Sequence, residues 1–339
     1  MSMRDLPAKL VFALSAAVLA CGGDVQGPPV RVVIPRGATV RAAADSLERA
    51  GVISSSRLFR WYASIAGRDR AIKSGTYELE PGENWNIVLD AMVSGRSIVN
   101  KVTIPEGFDL RSINPLLAKS LDVDIDSVRA AVSDSALIAE LQIPAGSIEG
   151  YLFPDTYTFP SGTTAREAVK AMVDRFEQVW KPEWNARLSQ MNISRHEAVT
   201  MASIVEKEAR IAAERPVIAA VYWNRLKKSM RLQADPTVQY ALPEHVERVF
   251  YRDLQVESKY NTYQNDGLPP GPIASPGEAS IEAAINPASV TYLFFVAHPD
   301  GHHEFRNTFA EHQAAIAMVR RSGSAQRDTP EQRPNGKPR

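Results

Sequence analysis

One pattern recurs three times in the first third of the chain and limits its fold more than any other feature: a β-type run, a Pro/Gly turn, then a helical stretch. Val30 to Ile34 leads through Pro35-Arg36-Gly37 into a helix over about Val40 to Ala50. Tyr77 to Glu80 leads through Pro81-Gly82 into one over about Trp85 to Val93. Ile98 to Ile104 leads through Pro105-Glu106-Gly107 into a third from about Leu110. Proline and glycine end one element at each joint and allow the sharp turn into the next. A further helix, Ser55 to Ala66, lies between the first two units. Strands alternating with amphipathic helices predict an α+β fold, and 339 residues are enough for two domains.

The start of the chain reads as a targeting segment. Arg4 and Lys9 precede an apolar run, Leu10 to Ala20, which is too short to span a bilayer and suits a signal-peptide core. Val18-Leu19-Ala20-Cys21 has the form of a bacterial lipobox, which makes Cys21 the lipidation candidate; a retained membrane anchor is the alternative. Either exports the rest of the chain. Residues 1–21 are thus a signal or lipoprotein-type segment and 22–29 a linker. Cys21 is also the single cysteine, so no disulfide framework is written in the sequence. At the other end, 321–339 are rich in Pro, Arg, Ser and Gln and are expected to be a disordered tail. Lys plus Arg equals Asp plus Glu at 39 each, with no basic block, which argues against nucleic acid as a partner.

The second half is more helical. Asp126 to Leu141 has helical spacing, and Thr163 to Trp180 keeps Ala168, Met172, Phe176 and Val179 on one side. Glu149 to Pro160 is aromatic, interrupted by proline and strand-like. Ser194 and Glu197 form a capping box ahead of a helix through Ala209, and Pro216 opens another that runs to about Leu226. Tyr292 to Ala297 and His303 to Phe305 read as a hairpin around Pro299-Asp300-Gly301.

Glu208 stands out in the capping-box helix. At about 100° per residue, Met201, Ile204 and Val205 share its face, while Glu206 and Lys207 point elsewhere. A carboxyl in apolar surroundings near a helix C-terminus has a raised pKa. One partly protonated near neutral pH can protonate a leaving oxygen. The alternative is an ion pair with Arg210, Arg215 or Arg225. The loop Tyr260 to Gly277 offers rings, amides and hydroxyls of the kind sugars bind; alternatively it is a structural Ω-loop. Gln233 and Asp235 read the same way, and Glu149 and Asp155 are candidate second carboxylates or plain turn residues. His298, His302, His303 and His312 lack metal-ligand spacing, so exposed histidines at a hairpin tip are expected, with no metal and no cofactor.

Together these motifs resemble the YceG-like endolytic murein transglycosylases, the MltG family. The resemblance rests on Glu149-Gly150-Tyr151-Leu152-Phe153-Pro154-Asp155-Thr156-Tyr157, Met201 to Glu208, Asn224-Arg225-Leu226 and Leu232 to Val238. It continues through Tyr260-Asn261-Thr262-Tyr263, Gly267 to Ile273, Ser275-Pro276-Gly277 and Asn286-Pro287-Ala288, and spans roughly residues 30 to 317. It implies a small LysM-like α+β subdomain over 30–100 and a mixed α/β catalytic domain over 101–320, with a helix-borne glutamate and a Pro/Gly-rich cleft loop. It places the catalytic role on Glu208. The cleft candidates are Glu149, Asp155, Asn224, Gln233, Asp235, Tyr260, Asn261, Tyr263, Pro270 and Ser275. The implied substrate is the glycan strand of peptidoglycan, cut internally with a 1,6-anhydro end. The implied place is the bacterial cell membrane, with the catalytic domain on the extracytoplasmic side beside peptidoglycan synthases. Family members usually carry a transmembrane helix where this chain has its lipobox-like run. Two rivals are a non-catalytic peptidoglycan-binding lipoprotein and a metal-dependent amidase built on the histidines.

Overall fold

In β1 (Val30–Ile34) the side chains alternate, with Val32 and Ile34 buried and Arg31 and Val33 exposed. This is the period of a strand covered on one face. The computed structural model describes residues 27–95, 99–140, 143, 146–244, 246 and 248–327; the targeting segment with Cys21 lies outside them. The chain divides into two units near residue 102, and residues 157–164 return to the first.

In the first unit β1 pairs antiparallel with β2 (Gly75–Leu79), with Val32 opposite Tyr77. Around them lie α1 (Val40–Arg49), α2 (Ser56–Ile65) and α3 (Trp85–Ser94). Thr39, Ser55 and Asn84 cap the three helices, each accepting a first-turn N–H. Leu47, Phe59, Tyr77, Leu89 and Met92 are fully enclosed in the core. Burial of each stabilises the unit by about 1.5–3 kcal/mol relative to exposure. Trp85 meets Phe59 edge-on at 5.7 Å, and the Tyr77 hydroxyl donates to the Lys73 carbonyl at 2.7 Å.

β3 (Val99–Thr103) pairs with β4 (Thr156–Pro160). Of the segment 149–160, expected to be strand-like throughout, only β4 is strand. Glu149 to Leu152 form a turn through Gly150, whose φ is +82°. After α4 (Leu110–Leu121), the stretch 126–141 is two helices rather than one, α5 (Ile125–Val132) and α6 (Ser135–Glu140). The break is at Asp134, whose carboxylate accepts the N–H groups of Ala136 and Leu137 and so starts a new helix.

The rest of the second unit is α7 (Ala165–Val179), α8 (Pro182–Met191), α9 (Arg195–Glu208), α10 (Arg215–Lys227), α11 (Asp235–Ala241) and α12 (Glu278–Ile285). The hairpin of β5 (Phe294–Ala297) and β6 (His303–Arg306) follows, then α13 (Phe309–Arg327). α9 packs mainly on α12, with α10 and α11 against its other sides. It is buried all round from Ala198 to Val205, so the helix expected to be amphipathic is central. α13 continues through 321–327, the first part of the stretch expected to be disordered. A helix already nucleated at Phe309 extends at small cost per residue, even across Gly323 and the serines beside it. Among the described residues no helix is long and apolar enough to cross a membrane.

Candidate active site

Glu208 is the last residue of α9, a helix opened by the Ser194–Glu197 capping box. Its side chain therefore sits where the unpaired carbonyls of the helix concentrate negative potential. Its Oε1 accepts a hydrogen bond of 2.8 Å from the hydroxyl of Tyr222 on α10. Both face a cavity of ≈ 570 Å³ whose polar side also carries Arg225, Gln233, Asp235 and Tyr263. Phe294, Phe295, Phe309, Tyr251 and His312 form an aromatic side. Glu208 is half-buried, with its carboxyl set among surrounding protein atoms. Desolvation lifts its pKa from the ordinary 4.5 to about 7, and the Asp235 carboxylate pushes the same way. The Tyr222 hydrogen bond pulls it back only in part.

No arginine neutralises this carboxyl. Among the described residues neither Arg210, Arg215 nor Arg225 forms an ion pair with it. Arg215 reaches Glu206 at 3.5 Å and Glu106 at 3.9 Å. Arg225 donates to Gln233 Oε1 at 2.5 Å and lies over the Phe294 ring. Gln233 adopts a left-handed φ of +51°, and the Tyr263 hydroxyl donates to Asp235 Oδ1 at 2.6 Å. The cavity thus gathers Glu208 with three of the ten cleft candidates: Gln233, Asp235 and Tyr263.

The other seven line no part of it. Glu149 is buried, accepts the Leu110 N–H and the Tyr240 hydroxyl, each at 3.2 Å, and has its pKa raised to about 7 by burial. Tyr260 packs beside it, its ring 4.8 Å from that of Tyr240. Asp155 pairs with Arg175 at 2.8 Å. The Asn224 amide donates to the carbonyls of Val290 and Tyr292. The Pro270 carbonyl lies 2.9 Å from His196 Nε2. Ser275 is enclosed, and its backbone pairs with Gly107 and Phe108. Asn261 is 0% exposed and its amide donates to the carbonyls of Leu254 and Val256, both at 2.9 Å. A larger surface hollow of ≈ 740 Å³ beside Lys181, Trp184 and Glu282 contains neither Glu208 nor any cleft candidate.

The YceG-like family model matches residues 32–318. The chain belongs to the YceG-like family. An endolytic murein transglycosylase of Bacillus subtilis is 36% identical over 302 residues, 84% of this chain and 83% of its own. One from Streptococcus pneumoniae is 28% identical over 320 residues, 85% of this chain and 58% of its own. The crystal structure of a YceG-like protein from Listeria monocytogenes aligns with a TM-score of 0.59 at 34% identity, over 86% of this chain and 100% of that one.

In this YceG-like chain the aromatic side of the cavity had no signature in the sequence. Phe294 and Phe295 are successive residues of β5, and Phe309 and His312 share a face of α13. Only the packing of α13 on the hairpin brings them together. Tyr222 was legible at i+14 from Glu208 only to someone who knew how α9 and α10 are paired. The histidines are not a cluster of exposed groups: His303 is buried against Glu214 at 2.7 Å, and His298 and His302 pair with Glu304 and Asp300.

The loop Tyr260 to Gly277 holds structure at Asn261. Asn261→Ala removes three partly buried hydrogen bonds and strands two carbonyls and the Tyr263 N–H, each worth about 1–3 kcal/mol. A clear drop in thermal midpoint is expected, outweighing any loss of activity per folded molecule at low temperature. An undisturbed midpoint with lost glycan turnover would instead make Asn261 a sugar contact.

Proposed function

We propose that the chain is an endolytic murein transglycosylase that cleaves the MurNAc–GlcNAc bond within glycan strands and leaves a 1,6-anhydro-MurNAc end, with Glu208 as its acid and base. The observation that carries this is a carboxyl with a pKa near 7, held by a neutral hydroxyl in an aromatic-walled cavity. The names of the relatives support the same reaction class. Protonated Glu208 gives its proton to the glycosidic oxygen as the bond to C1 breaks. The C6 hydroxyl of the same sugar then bonds to C1, and its proton passes to the Glu208 carboxylate, which restores the acid. No water is consumed. The intramolecular hydroxyl gains from effective concentration, so a second carboxylate is not needed to activate a nucleophile. Asp235, in the same cavity, raises the pKa of Glu208 and in this reading favours positive charge on the reacting sugar.

The first unit is the LysM-like subdomain in this reading. Residues 1–21 hold the protein at the cell membrane, through Cys21 or a retained anchor, with both units on the extracytoplasmic side beside peptidoglycan synthases. Mass spectrometry of products from purified glycan strands tests the chemistry. Internal fragments with anhydro ends are expected. Reducing ends would show hydrolysis, and uncut strands that still bind would show a binding protein.

A further inference from the structure

α2 is covered by the core on one side only. Phe59 and Ala63 are enclosed, whereas Leu58, Trp61 and Ile65 are 55%, 67% and 67% exposed. These three fall within roughly 60° of one another around the helix axis and form a continuous apolar strip. Arg57 is exposed and borders its Trp61 side, Arg60 lies further round toward the core with its Nε buried, and neither has an ion pair among the described residues. Arg68, one turn beyond the helix, is by contrast paired with Asp90. Trp61 is the one exposed tryptophan of five; the other four are buried.

We propose that this strip of α2 docks on the surface of an anionic phospholipid bilayer. An aromatic ring between aliphatic side chains, with Arg57 at its edge and Arg60 behind it, suits the boundary between acyl chains and acidic headgroups. A glycan would want amides or carboxylates beside the ring, and α2 contains no Asn, Gln, Asp or Glu. The inference rests on the membrane-anchored reading of residues 1–21. The distance from Cys21 to Val30 spans at most about 30 Å of extended chain, so an anchored first unit stays within reach of the bilayer. At that effective concentration a patch of three apolar side chains suffices for docking, although alone it would bind weakly. Docked in this way, the first unit lies flat on the membrane instead of swinging on its linker.

The test uses the full chain reconstituted into vesicles with brominated acyl chains, with and without phosphatidylglycerol. Co-sedimentation reports the anchor, and quenching of the Trp61 fluorescence, taken as wild type minus Trp61→Phe, reports docking. The Trp61 component is expected to lose most of its intensity in phosphatidylglycerol vesicles. It should lose little in purely zwitterionic ones or in the Arg57→Gln/Arg60→Gln variant. Co-sedimentation with unquenched Trp61 would overturn docking and leave the anchor standing. Failure to co-sediment with either vesicle would overturn both. Shielding of Trp61 from acrylamide by glycan strands, without quenching by bromolipid, would assign the strip to glycan instead and overturn the proposal.

Discussion

Glu208→Gln is expected to keep the fold and glycan binding and to lose anhydro-product formation by at least about 10²-fold, the low end for general acid–base catalysis. The amide fills the same space and can still accept the Tyr222 hydroxyl bond, but it cannot cycle a proton. In the proposed mechanism the first step needs the protonated carboxyl, so wild-type turnover should fall as pH rises through about 7. Stability follows the same sign. A carboxyl whose folded pKa lies above its ordinary 4.5 favours the folded state most below that value. The contribution is lost as pH rises to about 7. The variant should therefore match the wild type in thermal midpoint near pH 4 and exceed it near pH 8. Glu149 adds a background of the same sign to both proteins, since its pKa is also raised to about 7. Product assays and melting curves across pH measure both effects. Wild-type turnover in the folded variant would remove Glu208 from the chemistry. Glu206 does not serve as an innocent control, because its carboxylate accepts the Gly277 N–H at 3.0 Å and faces Arg215.

Gly150→Ala should leave little folded protein. A Cβ there would lie 2.4 Å from Pro272 Cβ and 2.6 Å from its Cγ, and the φ of +82° is strained for any residue with a side chain. The pyrrolidine ring has no flexible end that could retreat, so the backbone of one segment must move. The expected cost is about 2–4 kcal/mol, combining left-handed strain with overpacking. This would show as low soluble yield and a depressed midpoint. Gly162→Ala, with a similar φ of +83° but open space around the added Cβ, is the comparison. It separates the backbone strain from the collision and should cost much less. Equal losses at the two glycines would mean that contact with Pro272 does not hold the Glu149 turn.

The contrast between α9 and its surroundings explains how much could be read beforehand. Helical spacing set Glu208 among Met201, Ile204 and Val205, because the i−3, i−4 and i−7 relation is local. The same spacing sent Glu206 to another side but did not show that side to be buried, because α12 and the Gly277 segment cover it, and no local pattern encodes that cover. α8 and α12 escaped notice for a different reason. Lys181 and Gly277 provide no side-chain cap, which leaves Pro182 and Glu183 as the only start signal of α8 and Glu278 as that of α12. Asp235-Pro236 reads equally as a turn or as a helix start, and tertiary contacts made it the latter. The motif Tyr260-Asn261-Thr262-Tyr263 was visible as a unit but divides its work. Tyr263 faces the cavity, while Asn261 and Thr262 hold the loop to its neighbours.

Gln233 has a consequence for where in pH the cavity can operate. Its backbone is held in a left-handed conformation that costs about 1 kcal/mol or more, and its side-chain oxygen occupies Arg225. A guanidinium released from that grip would have two carboxyls, Glu208 and Asp235, in the same cavity to turn to. Leaning on Glu208, it would favour the deprotonated form and leave no proton to give. The uncharged amide therefore works as a tether. It holds the cation in place without adding a charge of its own, so Gln233→Ala should lower the pKa of Glu208 if the freed guanidinium swings toward it.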